Sequence, residues 1–200
     1  MRASIIAGLL VLATSQVSAQ FTNQSAPFNL VVTSSNTTIN GSWLIACHEG
    51  AAEEGLCVGA AVAGDTPSVY NFNYSSSEYV DPAIGTVGIL TYLLIGGNFN
   101  VSSPMQLAYN PASNVAVPLL LTGPTYQEVV LDAQSNLAIP GYIDDRVVPT
   151  SDPYSAQLYY RWYVCTTYEG YTYQTLAWTL GDEPPQNPTC QKVNVVAVYI

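Results

Sequence analysis

The feature that most limits the fold is a succession of short apolar or alternating runs, separated by Gly, Pro, Asn and Ser. After the first 19 residues, no stretch shows the periodicity of an amphipathic helix. This pattern predicts an all-β fold, an antiparallel β-sandwich or barrel of about 10–11 short strands. The predicted strands are Phe28–Thr33, Trp43–Cys47, Val69–Tyr74, Ile89–Ile95, Met105–Tyr109, Val115–Leu121, Glu128–Asp132, Asn136–Ile139, Leu158–Cys165, Tyr171–Leu180 and Val193–Ile200.

The connections between these strands give further expectations. Ala133–Ser135 predicts a hairpin turn, and Glu169–Gly170 predicts a second one in which Gly170 supplies a positive φ. His48–Leu56 is the one segment whose Ala and Glu content favours a helix, although it is short. Gly141–Pro153 is predicted as a long surface loop. No break in composition suggests a second domain, so we expect residues 20–200 to form a single β domain.

Residues 1–19 predict a cleaved secretory signal peptide. Met1 and Arg2 give a basic start, Ile5–Ala13 is a nearly unbroken apolar run, and Val17–Ala19 ends it with small residues. The run is shorter than the roughly 20 apolar residues that a membrane-spanning helix needs, which argues against an uncleaved anchor. We therefore expect a secreted chain that begins at Gln20 and has no membrane span.

Charged residues are rare, at 9% of the chain, and the formal net charge at pH 7 is −10. Without the signal, the basic residues are Arg146, Arg161 and Lys192, against 14 acidic ones. Nucleic acid binding depends on Lys and Arg contacts to phosphate, so we expect no nucleic acid partner.

Five Asn-x-Ser/Thr sequons predict N-glycosylation, at Asn23, Asn36, Asn40, Asn73 and Asn100. All five lie in the first half of the chain. We therefore expect a glycoprotein with one sugar-coated side, if the fold keeps the two halves of the chain apart.

The four cysteines predict two disulfides in an oxidising compartment, with three possible connectivities. We favour Cys47–Cys57, which closes a small loop, and Cys165–Cys190, which ties the end of one strong strand to the start of the last. A free catalytic thiol is then not expected.

Three segments carry a resemblance to a known group of proteins: "FTNQSAPFNLVV" after the signal, "CHEGAAEEGLC", and the closing "WYVCTTYEGYTYQTLAWTLG…NPTCQKVNVVAVY". Together they resemble a family of small secreted fungal proteins that is known only as a domain of unknown function. The layout is also similar to fungal cell-wall proteins of the phialide and ligninase-like type. The resemblance implies a fungal extracellular or cell-wall location, and it implies no catalytic residue.

The densest cluster of acid–base groups is His48 with Glu49, Glu53 and Glu54. The spacing of the neighbouring cysteines matches no common zinc pattern, so we expect no metal site and no cofactor. A glycosidase would need two carboxylates that converge across a cleft. Glu53–Glu54 and Asp144–Asp145 could each supply one, but adjacent carboxylates usually belong to solvated loops.

Aromatic residues crowd the last third of the chain. Alternation along Leu158–Cys165 separates a core-like face from one that mixes aromatic rings with a guanidinium. Exposed rings on a sheet are suited to gripping the apolar faces of sugars. The competing interpretation is that these tyrosines pack under loops or form cross-strand pairs. The predicted ligand-binding residues are Tyr159, Arg161, Tyr163, Tyr171 and Tyr173.

The favoured hypothesis is a non-enzymatic secreted protein of the fungal surface or cell wall that binds extracellular glycan or protein. The alternatives are a carboxylate-dependent polysaccharide hydrolase and a secreted effector. Paired carboxylates at a cleft would indicate the hydrolase, whereas a concave surface lined by aromatic and amide side chains would indicate binding.

Overall fold

The computed structural model describes residues 21–59, 66–75, 82–141, 148 and 156–200. The secondary-structure elements of these described residues are all β-strands. The predicted signal peptide lies outside the described residues, as does most of the predicted loop Gly141–Pro153. The strands are β1 (Asn23–Gln24), β2 (Phe28–Thr33), β3 (Trp43–Gly50), β4 (Glu53–Gly59), β5 (Tyr70–Tyr74), β6 (Val87–Ile95), β7 (Asn100–Tyr109), β8 (Val115–Leu121), β9 (Glu128–Leu131), β10 (Leu137–Gly141), β11 (Gln157–Tyr159), β12 (Trp162–Tyr168), β13 (Thr172–Thr179), β14 (Gln191–Lys192) and β15 (Asn194–Tyr199).

Eight antiparallel strands close a barrel in the order β5-β2-β3-β4-β13-β8-β7-β6, and β6 pairs back with β5. The remaining strands extend this barrel: β1 pairs with β5, β15 with β2, β12 with β13, β14 with β12, and β9, β10 and β11 continue outward from β6. Closure leaves few unpaired strand edges in the barrel itself. The prediction of an all-β antiparallel sandwich or barrel is confirmed.

Most of the interior is one cluster of buried apolar side chains contributed by many strands, and a second, small cluster contains Val115, Cys165 and Ala177. Successive side chains of a strand point to opposite faces of the sheet, so the apolar residues of the alternating runs lie on the inward face. The largest fully buried side chains are Trp162, Tyr70, Phe28, Leu30, Leu44, Leu56, Leu90, Met105, Leu120, Leu137, Leu176 and Val32.

The apolar residues on both faces of Val193–Ile200 predict a last strand that is buried on two sides, but the structure covers it fully on one side only. In β15 the side chains of Val195 and Ala197 are buried, whereas Val198 and Tyr199 are about half exposed. Val195 and Ala197 lie on one face of β15, and Val196 and Val198 lie on the other face, which is only partly covered. The apolar character of its other face therefore does not reflect burial.

The helix that composition made possible at His48–Leu56 does not form, because this segment forms the hairpin of β3 and β4. Ala52 adopts a positive φ of 62° in the turn, which a helix cannot contain. His48 pairs with Glu54 across the hairpin, and the disulfide Cys47–Cys57 joins the two strands. Pairing with neighbouring strands overrides a weak local helix preference here.

Both predicted disulfides are confirmed, with Cα–Cα distances of 5.8 Å for Cys47–Cys57 and 4.1 Å for Cys165–Cys190. They are compatible with an extracellular protein. Among the described residues, no helix is long and apolar enough to cross a membrane.

The hairpin turn at Ala133–Ser135 is confirmed, and it joins β9 to β10. Ser135 has a positive φ of 63°. The Asp132 carboxylate organises the turn, because its Oδ1 accepts hydrogen bonds from the backbone nitrogens of Gln134 at 2.9 Å and Asn136 at 2.8 Å.

Candidate functional site

The strand predicted at Leu158–Cys165 is divided in the structure into β11 and β12. Tyr159 pairs with Ile139 of β10 and packs against the core. The guanidinium of Arg161 lies over the Tyr159 ring, 4.6 Å from Cζ to the ring centroid, and forms an ion pair with Asp182. Two of the predicted ligand residues are therefore occupied by contacts within the protein.

Tyr163 is held in a similar way on β12. Its ring is half-buried beside Cys165, and the ammonium of Lys192 lies 4.8 Å from the ring centroid. Lys192 also donates a hydrogen bond to the backbone oxygen of Tyr160. Burial, and then the charge of Arg161, lowers the pKa of Lys192. The face predicted to be open at this end is thus covered by two cations.

The other two predicted ligand residues, Tyr171 and Tyr173, lie at the far end of the hairpin formed by β12 and β13. Their rings are stacked with centroids 5.9 Å apart, and the His48 ring lies 5.7 Å from Tyr171. Tyr173 pairs with Thr167, four residues along the strand from Tyr163, which is roughly 13 Å at ~3.3 Å per residue. The structure separates the five residues into two groups, and their ligand role stays a prediction.

The tip of this hairpin is fastened to the tip of the β3–β4 hairpin by Glu49. The Glu49 side chain is buried, and its Oε2 accepts a hydrogen bond of 3.1 Å from the backbone nitrogen of Tyr171. A Cβ atom added at Gly170 would overlap the backbone oxygen of Glu49. The φ of Gly170 lies outside the left-handed region, so the turn needs glycine for this close approach, and the positive φ expected there is wrong.

Several carboxylates gather near these tips. Burial raises the pKa of Glu54, with the charge of Glu49 adding to the rise and His48 opposing it. Burial also raises the pKa of Glu169, and the charges of Glu49 and Glu53 raise it further. The acidic residues predicted from sequence as one cluster are therefore joined by Glu169 from the other hairpin.

These groups do not assemble a metal site with free ligands. Within the described residues, Cys47, Glu49 and Cys57 bring ligand-type atoms within 4.8 Å of one another. Because the two sulfurs are bonded to each other, Glu49 alone of the three retains a ligand atom able to bind an ion.

An open cleft of about 380 Å³ lies between the end of β7 and the end of β12. Its size falls in the range of small-ligand sites, about 300–1,000 Å³. Tyr109 and Tyr168 are 70% and 72% exposed, which makes their rings available to a ligand. The remaining lining residues are Ala108, Asn110, Ser113, Val115, Val117, Thr166, Thr167, Glu169 and Asn187.

The polar groups of the cleft are fixed by local hydrogen bonds. Asn187 donates from Nδ2 to the backbone oxygen of Thr166 at 2.9 Å and accepts from the Thr189 backbone nitrogen at 3.0 Å, which holds the rim of the cleft to β12. Asn110 accepts from the backbone of Ala112 at 2.9 Å through Oδ1, so the position of its amide is also fixed. A preorganised rim of this kind lowers the entropy cost of binding.

The cleft is not apparent in the sequence, because its two exposed tyrosines belong to strands that are distant in sequence. Tyr168 was part of the aromatic-rich segment, but alternation did not select it. Tyr109 lies at the end of β7, followed by Asn110 and Pro111. An aromatic residue directly before an Asn-Pro turn was the available signal, but only the closed barrel brings it opposite β12.

The fold and the cleft define the structural class of this protein, which is a disulfide-bonded, closed antiparallel β-barrel with an open cleft of aromatic and amide side chains. Residues 25–199 match the family described as Domain of unknown function (DUF7907). The match spans most of the chain, so this protein belongs to that family. No curated protein and no solved structure matches it. The predicted relationship to a family of unknown function agrees with this result, and the fungal and cell-wall relationship stays a prediction.

Proposed function

We propose that the chain is a non-enzymatic glycoprotein, secreted to the fungal cell surface or wall, that binds neutral extracellular glycan in the cleft between β7 and β12. The observation that carries this proposal is the cleft lining. It combines two exposed tyrosine rings with fixed amide side chains. Tyrosine rings offer apolar area at low conformational cost, and amides offer hydrogen bonds to hydroxyl groups.

The charge of the chain supports a neutral ligand. The formal net charge is −10. Two basic side chains lie near the β12–β13 hairpin, at the end away from the cleft: Arg161 contacts the Tyr159 ring, and Lys192 contacts the Tyr163 ring. An acidic polysaccharide would meet long-range repulsion, and no Lys or Arg is among the described residues that line the cleft to offset it. Neutral polymers such as glucans, mannans or chitin fragments meet no such repulsion.

The hydrolase alternative receives less support from the cleft. A glycosidase needs two carboxyl groups about 5–10 Å apart across the bond that is cleaved. Glu169 is the one carboxylate among the described residues that line the cleft. Its raised pKa suits a proton donor, but the described lining provides no second carboxylate to act with it.

The proposal is tested by binding of the purified secreted chain to a panel of neutral wall polysaccharides, with released reducing sugar measured in the same samples. We expect retention on at least one polymer without release of sugar. The double variant Tyr109→Ala, Tyr168→Ala should lose this retention, whereas Tyr199→Ala, which removes a half-exposed ring on β15, should keep it. Retention that is unchanged in the double variant, or steady release of reducing sugar, would refute the proposal.

A further inference from the structure

The outer end of the β6–β7 hairpin carries unusually exposed apolar side chains. Leu93, Ile95 and Phe99 are 50%, 72% and 51% exposed. They lie within a segment, residues 82–127, that contains no charged residue and no histidine. Apolar surface without neighbouring charge promotes association between molecules, so a monomeric exported protein needs something to cover it.

The register of the hairpin places a sequon on this same surface. Ile95 pairs with Asn100, and Leu93 pairs with Ser102. Side chains of directly opposed residues in an antiparallel pair project from the same face, with Cβ atoms about 4.5–5.5 Å apart. Asn100 and Ser102 are the first and third residues of an Asn-Val-Ser sequon, and both are exposed. We call Leu93, Ile95, Asn100 and Ser102 the hairpin face.

Two other sequons show a different environment in the folded chain. Asn73 donates from Nδ2 to Thr91 Oγ1 at 2.6 Å, and Ser75 of the same sequon is buried. Asn36 donates from Nδ2 to Gln191. In both cases the nitrogen that would carry a sugar is already held by a partner within the protein. Asn100, in contrast, presents an exposed side chain at a hairpin end.

We propose that an N-linked glycan on Asn100 covers the apolar side chains of the hairpin face and keeps the secreted protein monomeric. This inference rests on the secretion part of the proposed function. The donor is a lipid diphosphate-linked oligosaccharide. A bond forms between Asn100 Nδ2 and the anomeric carbon, the bond from that carbon to the diphosphate oxygen breaks, the lipid diphosphate leaves, and Nδ2 loses one proton. The first sugar then lies against Ile95, its neighbour in register.

The test is to express the full chain in a glycosylating eukaryotic host, recover it from the medium and map its glycopeptides by mass spectrometry. Ser102→Ala removes the sequon without changing Asn100, and Ser42→Ala removes the Asn40 sequon by the same side-chain change. We expect Asn100 to be occupied. Ser102→Ala should raise the fluorescence of an apolar-surface dye about twofold or more and shift part of the protein to dimers and larger species.

A third variant separates glycan loss from misfolding. Combining Ser102→Ala with Leu93→Thr and Ile95→Thr removes the apolar side chains together with the glycan, so the dye signal should return to that of the unaltered chain. Ser42→Ala should keep the unaltered signal throughout. Secreted protein with unmodified Asn100, or Ser102→Ala protein with unchanged dye binding, would overturn the inference. Retention of the chain inside the cells would instead overturn the secretion on which both proposals depend, while polysaccharide binding remains testable separately.

Discussion

The two ends of the β12–β13 hairpin have similar aromatic sequences and opposite environments. At one end, Trp162 is fully buried and Tyr163 lies under Lys192, next to Tyr159 of β11, which lies under Arg161. At the other end, Tyr168 and Tyr171 are 72% and 49% exposed. We call these the anchored end and the open end.

The difference in exposure arises from the segments that surround each end, because inward and outward side chains alternate in the same way at both ends. The anchored end lies against the core and against the segment that carries Lys192 and Asp182, which covers its rings. The open end is held at its tip, where Gly170 and the backbone nitrogen of Tyr171 contact Glu49. The rings of Tyr171 and Tyr173 contact each other and His48 there, whereas Tyr168 is 72% exposed and remains available to a ligand.

The largest effect is expected at the anchored end. Trp162 packs edge-on against Trp178 with centroids 4.6 Å apart, and its Nε1 donates to the Leu137 backbone oxygen at 2.7 Å. Trp162→Ala should lower the free energy of unfolding by about 3–5 kcal/mol, because it leaves a cavity and an unpaired carbonyl. Tyr168→Ala at the open end should change it by about 0.5 kcal/mol or less. Denaturant unfolding measures both, and similar losses would remove the distinction between the ends.

A smaller loss is expected where the open end is fastened. Gly170→Ala forces the two hairpin tips apart, and overpacking of this kind costs typically about 1–3 kcal/mol. The matched control is Gly97→Ala, since a Cβ there meets nothing within 4 Å and the change should be neutral or slightly stabilising. Thermal melting compares the two. A Gly170→Ala protein as stable as the control would show that the tips are not fastened together.

The smallest effect concerns the carboxylate at the open end. Because burial and the charges of Glu49 and Glu53 raise the pKa of Glu169 above 4.5, the folded chain holds this proton to higher pH than the unfolded chain does. Stability from this group is therefore present below pH 4.5 and is lost as the pH rises through the folded pKa. Glu169→Gln should melt slightly higher than the unaltered chain at pH 7 and lose that advantage at pH 4. An identical pH profile for Glu169→Gln and the exposed control Glu128→Gln would contradict the assignment.

Much of the fold followed from local pattern. All eleven predicted strands overlap strands of the structure, and β8 has the predicted bounds Val115–Leu121. Turn chemistry placed the β9–β10 hairpin, and spacing identified both disulfides. These features depend on neighbouring residues, and short-range sequence pattern contains that information.

The failures involve partners distant in sequence. His48–Leu56 has a helical composition, yet β4 pairs with β3, β8 and β13 and is held as a strand. Alternation predicted an exposed ring at Tyr163, but Lys192, 29 residues later in the chain, covers this ring. The cleft needs Tyr109 and Tyr168 from different strands. The local pattern of a single sequence does not reveal the strand order that brings these residues together.

The most direct test of the open end as the ligand site is calorimetric titration of Tyr168→Ala and Tyr163→Ala with a neutral oligosaccharide that the unaltered chain binds. Loss of a stacked ring should weaken the binding free energy by about 1.4 kcal/mol, which raises the dissociation constant roughly tenfold. We predict this weakening for Tyr168→Ala and a change of about twofold or less for Tyr163→Ala, with melting curves confirming that both proteins are folded. A tenfold loss in folded Tyr163→Ala with unchanged binding in Tyr168→Ala would contradict the account and place the ligand at the anchored end.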